Sequence, residues 1–275
     1  MKVIILAGGL GTRLGNITES IPKPMVRIGD KPIIWHIMKM YSRFGHKDFL
    51  LSLGYKQEVI KDYFYNYHTE SNDFSIELGS KKIEFLNPHD EMDWKITMVN
   101  TGLKTLKGAR LKRIEKYLDD DINMMTYGDG VADIDIDKLL AFHKSHGKIL
   151  TITGVHPPAR FGEIVEKNGD LVAFEEKPQS SVGLINAGFM VFDKRLFNYL
   201  SEDENCDLEY ETFQKLVPLG EVAVYKHLSS WECVDTERDL THLNKLWTED
   251  KAFWFKNAPT KPVASKKTTK SSLRW

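Results

Sequence analysis

The apolar run Val3-Ile4-Ile5-Leu6 leads straight into Ala7-Gly8-Gly9-Leu10-Gly11-Thr12-Arg13. Four consecutive apolar residues that stop at glycines read as a strand buried on both faces, followed by a tight turn. A strand of that kind belongs inside a sheet with helices on either side. The rest of the chain keeps the same rhythm. Ile34, Ile37, Met38, Tyr41 and Phe44 share one helical face, with Pro32 at the first turn and Gly45 as the stop. Strand 49–53 and helix 57–67 follow. After an irregular stretch, 68–102, with strands at 75–78, 82–86 and 96–99, come helix 109–118, strand 123–127, helix 137–146 and strand 149–155. Residues 162–176 read as a hairpin around Asn168-Gly169. Strand 185–192, helix 208–216, strand 222–227 and helix 237–247 close the pattern. This alternation predicts an α/β fold with a mostly parallel sheet flanked by helices.

Composition narrows the function. The 275 residues allow one large α/β domain, placed at 1–257, and residues 258–275 read as a basic, disordered tail carrying Lys261, Lys266, Lys267, Lys270 and Arg274. With 38 Lys+Arg against 39 Asp+Glu, the net charge is -1. Such a chain has no global field for nucleic acid or a membrane surface, so an anionic ligand has to be gripped locally. Cys206 and Cys233 form no disulfide framework and read as reduced thiols. No apolar stretch approaches the roughly 18 residues of a membrane span, and the N-terminal run is too short for a signal core. The expectation is a cytoplasmic protein.

Local grips are present. Consecutive glycine amides form an anion-binding nest, and Arg13 sits in the same turn. The turn lacks the third small residue of the dinucleotide fingerprint, where Leu14 stands, and the lysine of a Walker A loop. Lys23, held between Pro22 and Pro24, adds a second cation. Two fixed cations beside a nest suit a triphosphate. Tyr127-Gly128-Asp129-Gly130 closes an apolar strand, and in open parallel sheets ligands bind beyond the carboxyl ends of strands. Asp129 there has room for a divalent ion and a phosphate. Asp235 reads either as a second metal ligand or as the N-cap of the last helix. Asp133, Asp135 and Asp137 read as carboxylates at a helix N-terminus, because a calcium loop would need Gly at Lys138 and Glu at Lys144. His143 and His146 read as partners of the dipole at the end of the same helix.

Taken together these residues resemble the sugar-1-phosphate nucleotidyltransferases. The resemblance rests on L-A-G-G-L-G-T-R-L at 6–14, P-K-P-M at 22–25, Y-G-D-G at 127–130, E-E-K-P at 175–178 and Asn186-Ala187-Gly188-Phe189. The run Trp35-His36-Ile37-Met38-Lys39-Met40-Tyr41-Ser42, with Gly54-Tyr55-Lys56 and Arg160-Phe161-Gly162, looks like the cytidylyltransferase branch. The resemblance extends from Met1 to about Trp254. It implies a Rossmann-like nucleotidyltransferase fold with a mixed, mostly parallel central sheet, a homo-oligomer, and a Mg2+ cofactor. The implied reaction joins CTP and α-D-glucose 1-phosphate into CDP-glucose and pyrophosphate, for dideoxyhexose and surface polysaccharide formation.

By the same resemblance, Leu6, Ala7, Gly8, Gly9, Leu10, Gly11, Thr12, Arg13 and Lys23 hold the nucleotide. Thr105, Arg110 and Gly128 lie against it, and Asp129 and Asp235 share the Mg2+. Lys177 holds the sugar phosphate, and Glu176 with Asn186 the sugar hydroxyls. Ala159 and Glu232-Cys233 depart from the branch pattern beside the implied sugar pocket. Transfer from dTTP or UTP, or to another hexose 1-phosphate, uses the same chemistry. A nucleotide-sugar-sensing subunit on the same fold is a further alternative, but such subunits tend to lose the set Arg13, Lys23, Asp129, Lys177 and Asp235.

Overall fold

The computed structural model describes residues 1–15, 17–87, 89–157, 163–167, 170–175 and 183–255. Seven strands form the central sheet: β1 (Val3–Ala7), β2 (Asp48–Leu53), β3 (Lys95–Asn100), β4 (Ile122–Tyr127), β5 (Leu150–Val155), β6 (Ile185–Asp193) and β7 (Val222–Lys226). Their order is β7-β5-β6-β4-β1-β2-β3. The pairs β1–β2, β1–β4, β2–β3 and β5–β7 are parallel, whereas β6 runs antiparallel to both β5 and β4. The sheet is therefore mostly parallel, as the alternation predicts, and mixed, as the resemblance implies.

Chain order reverses at β1. The strands β2 and β3 lie on one side of it, and β4 on the other. Such a switch point opens a crevice beyond the strand ends. The register pairs Leu6 with Tyr127, so the turn after β1 and the turn after β4 emerge side by side.

The first strand is buried on both faces. Val3, Ile5 and Ala7 enter one core with the helix α1 (Ile33–Arg43), and Ile4 enters the other with Leu50, Met125 and the helix α2 (Lys107–Ile114). The face of α1 that carries Ile34, Ile37, Met38 and Tyr41 is buried, with Phe44 beyond its end. Its other face is buried too, because Trp247, Trp254 and Phe255 fold back over it. There the Nε2–H of His36 donates to the Ile28 carbonyl at 2.9 Å, and Trp254 Nε1–H donates to His36 Nδ1 at 3.3 Å. The second bond requires a neutral ring, because a protonated imidazole has no acceptor nitrogen.

Several local expectations need correction. The segment 208–216 is a π-helical turn, Leu208–Phe213, and only Gln214–Leu216 is α-helical. Asp135 caps the helix α3 (Ile136–His146) by accepting from Lys138 N at 3.0 Å, and Asp137 lies in its first turn. Asp133 does neither; it pairs with His227 Nε2 at 2.9 Å. His143 Nδ1 and His146 Nε2 both meet Thr151 Oγ1, at 2.9 and 2.8 Å. Burial and the neighbouring His146 push His143 down to about 4, so it carries no charge to offer the helix dipole at neutral pH. Two short strands, Gly130–Ala132 and Trp231–Cys233, pair antiparallel and escape the sequence reading altogether. The hairpin strands appear as Glu163–Lys167 and Asp170–Glu175. Its turn at Asn168-Gly169 and the tail 258–275 lie outside the described residues.

His36 is likewise held at about 4, by burial above all. Once unfolded, both histidines take a proton near pH 6.5. The unfolded chain then binds more protons than the folded one, so stability is complete above 6.5 and falls as pH drops toward 4. Each ring accounts for up to roughly 3 kcal/mol over that window. Urea unfolding at a series of pH values should show this decline, and a constant unfolding free energy down to about pH 5 would contradict it.

Candidate functional site

The crevice at the switch point is a cleft of about 510 Å3, lined by residues 6–13, Lys23, Pro24, residues 103–107, Arg110 and residues 127–129. It is built from the strand ends upward. After β1 the chain passes through Gly8 and Gly9 into Gly11, which has φ +69, and a single helical turn, Thr12–Leu14. Two of these glycines have different reasons. A Cβ on Gly8 would stand 2.2 Å from Arg110 Nη1, so any side chain there would have to displace that guanidinium. Gly9 meets nothing within 4 Å, which leaves its backbone open to a ligand in the cleft.

Arg110 explains the first case. Its guanidinium is buried on α2 and donates to the carbonyls of Gly8 (2.9 Å), Leu53 (3.1 Å), Gly102 (2.8 Å) and Leu103 (3.3 Å), and to Thr101 Oγ1 (2.8 Å). These oxygens belong to the ends of β1, β2 and β3 and the loops beyond them. Burial, and then the nearby Arg113, pull its pKa down to about 10, which still leaves it charged at neutral pH. Thr105 is similarly engaged, its hydroxyl accepting from Arg113 Nη1 at 2.8 Å.

Lys23 lies in a short helical turn after Pro22, with its stem packed beneath Gly11. Its ammonium donates to Asp129 Oδ2 at 2.6 Å and to Asp235 Oδ1 at 2.7 Å. Burial works against that charge. The two carboxylates, Asp129 foremost, outweigh burial and raise the lysine above its ordinary value. Arg13 Nη1 reaches the other oxygen of Asp235 at 2.6 Å, from a largely exposed side chain.

The two aspartates meet because of the short sheet. Gly130 pairs with Cys233, and the next rung is the bond from Val234 N to the Asp129 carbonyl at 2.9 Å. Asp235 follows one residue later. It is not the helix cap: Thr236 caps the helix α4 (Glu237–Thr248), and Asp239 accepts from the backbone N–H of both Asp235 and Thr236. The Asp235 carboxylate is thereby left to face Lys23. Beside it, burial and the two aspartates push the Cys233 thiol up to about 12, so it stays a thiol.

A hard cation suits this donor set. Among the described residues no three His, Cys, Asp or Glu side chains form a metal cluster. Two carboxylates converging on one cation match an ion that completes its shell with ligand phosphates and water.

Residues 2–250 match the Nucleotidyl transferase family. The chain belongs to that family. It is 44% identical to a glucose-1-phosphate cytidylyltransferase of Salmonella typhimurium, over 92% of this chain and 98% of that one. It is 39% identical to a probable glucose-1-phosphate cytidylyltransferase of Bacillus subtilis, over 92% and 99%. The crystal structure of HddC from Yersinia pseudotuberculosis, 23% identical, shares the fold with a TM-score of 0.66 over 90% of this chain and 99% of that one.

In this nucleotidyl transferase the cleft gathers Leu6, Ala7, Gly8, Gly9, Leu10, Gly11, Thr12, Arg13, Lys23, Thr105, Arg110, Gly128 and Asp129. Asp235 joins them through Lys23. Asn186 sits behind Tyr127, to whose hydroxyl its Nδ2 donates at 3.2 Å. Glu176, Lys177, Ala159 and Arg160-Phe161-Gly162 lie outside the described residues. The sequence reading passed over Lys104 and Lys107, two more cations on the wall, although their spacing before Arg110 was a visible signal. Replacing Arg110 by Lys keeps the charge and loses the fork of donors. The unfolding free energy should drop by at least ~2 kcal/mol, because buried carbonyls lose their partners. An unchanged urea midpoint would show that the fork does not tie the strand ends together.

Proposed function

We propose that the protein transfers a cytidylyl group from CTP to α-D-glucose 1-phosphate and releases pyrophosphate. The observation that carries this reading is the convergence of Asp129 and Asp235 on Lys23 at the sheet's switch point. The relatives named as glucose-1-phosphate cytidylyltransferases, similar over nearly their whole length, support the choice of substrates.

The chemistry asks little of a protein nucleophile. A phosphate oxygen of the hexose phosphate attacks the α-phosphorus, and the bond to pyrophosphate breaks in line. The obstacle is bringing two polyanions together. Amides of residues 8–12 and the Arg13 side chain take the triphosphate. The Lys23 ammonium has three protons, two of them on the aspartates, which leaves one for a phosphate oxygen. Mg2+ held by Asp129 and Asp235 would polarise the reacting phosphate and fix its geometry. The Thr105 and Gly128 walls border the base and ribose. Arg110 contributes by fixing the Gly8 and Leu103 carbonyls. Lys177 takes the sugar phosphate, and Glu176 and Asn186 the hexose hydroxyls.

A pyrophosphate-release assay crossing each nucleoside triphosphate with several hexose 1-phosphates tests the pairing. CTP with glucose 1-phosphate should exceed every other pair by at least ~10-fold in kcat/KM. A faster pair would replace these substrates, and no turnover with any pair would favour a sensing subunit. In the Asp129→Asn and Asp235→Asn variants turnover should fall at least ~10²-fold with the fold retained; near-normal rates would remove that residue from the metal role. Lys177→Ala should raise the KM for hexose phosphate or lower kcat more than it weakens CTP binding. Selective loss of CTP affinity would reassign Lys177 to the nucleotide.

A further inference from the structure

A second polar array stands where β4 delivers Tyr127 to the cleft. The Tyr127 hydroxyl donates to Glu209 Oε1 and accepts from Asn186 Nδ2 at 3.2 Å. Asn186 Oδ1 in turn accepts the backbone N–H of Gly188 at 2.9 Å. Lys107 Nζ lies 2.5 Å from the same Glu209 oxygen and 5.0 Å from the centre of the Tyr127 ring.

The array has a direction. A carboxylate only accepts, so the single phenolic proton goes to Glu209. The phenolic oxygen then offers Asn186 nothing but lone pairs, and Asn186 has to present Nδ2. The N–H of Gly188 demands Oδ1 and fixes the same orientation from the other end. The amide cannot flip without leaving two donors facing each other. Among the described residues, these two bonds leave one N–H and one carbonyl lone pair of Asn186 for a ligand.

The ring that relays this order is wedged in place. Gly188 has φ +87, and a Cβ there would stand 2.6 Å from Tyr127 Cδ2. Glu209 comes from the π-helical turn Leu208–Phe213, a geometry that recurs at functional sites. Its second oxygen, Oε2, is buried with no hydrogen-bond partner among the described residues. Packing alone gives no reason to keep an acid there. Burial and the adjacent carboxylate also hold the Tyr127 phenol far above its ordinary pKa, so the donor keeps its proton.

We propose that Glu209 is a positioning residue, which acts through Tyr127 to lock the Asn186 amide in the orientation that binds a hydroxyl of the hexose phosphate. This rests on the assignment of Asn186 to the hexose above. It adds two residues, neither assigned to the sugar by sequence, that set sugar specificity from behind the contact.

Monodeoxy analogues of glucose 1-phosphate test both layers. The native enzyme should lose about tenfold or more in kcat/KM with the analogue lacking the hydroxyl that Asn186 meets. That discrimination should vanish in Asn186→Ala. It should shrink at least ~5-fold in Tyr127→Phe and in Glu209→Leu, which removes the acceptor of the phenolic proton, while the KM for CTP stays within about twofold. If Asn186→Ala loses the discrimination and the other two variants keep it, the relay is wrong and the sugar assignment stands. If Asn186→Ala still discriminates against each analogue as the native enzyme does, the sugar assignment fails and the relay with it. If the KM for CTP rises as much as that for the sugar phosphate, Glu209 merely supports the cleft, and the proposal is overturned.

Discussion

Two carboxylates that share a small, partly buried space stay ionised together only if a cation lies between them. In this protein the cation is the ammonium of Lys23, and the segments that bring it into contact with Asp129 and Asp235 come from three distant parts of the chain. A proline-framed turn holds the lysine, a parallel strand delivers the first aspartate, and a three-residue strand late in the chain delivers the second. Each is useless without the others. The cluster is close to electrically neutral, with Arg13 and Lys23 set against the two acids. It can therefore exist before any polyanion arrives, and would still have donors and acceptors for the phosphate and metal proposed for it.

Around that centre the fold supplies rigidity through an unusual use of arginine. Arg110 has carbonyl and hydroxyl oxygens about its guanidinium and gathers the ends of three adjacent strands and their loops. Strand ends are where a parallel sheet has spare carbonyls and where loops tend to wander. One buried fork satisfies several of these groups and fixes the glycine turn to its neighbours. Much of the cleft's shape follows from that single side chain and from the glycines that make room for it.

The frame of the sheet was readable because its inner strands are largely apolar runs, and burial on both faces makes them so. The glycine turn, Lys23 between prolines and Asp129 between glycines announced themselves by local chemistry. Asp235 was ambiguous for a physical reason. Its neighbour Thr236 makes the cap, and the pairing of Trp231–Cys233 with Gly130–Ala132 is three residues long, too short for periodicity to register. Glu209 was hidden for a different reason. It sits in a segment whose apolar spacing suits an α-helix, and the wider π-helical turn is set by tertiary packing. His143 shows the converse: its place near a helix end suggested a charge, and burial removes it.

The antiparallel strand β6 has a further implication. It enters the sheet from the opposite direction to its neighbours, so its first residues, not its last, reach the rim where the other strands end. The nucleotide side proposed above is consequently written where the chain leaves the sheet, and the proposed hexose side, at Asn186, where it enters. Substitutions at the start of β6 need not shift the turns that follow the parallel strands. On that proposal, the acceptor can be retuned while the donor's grip is left untouched.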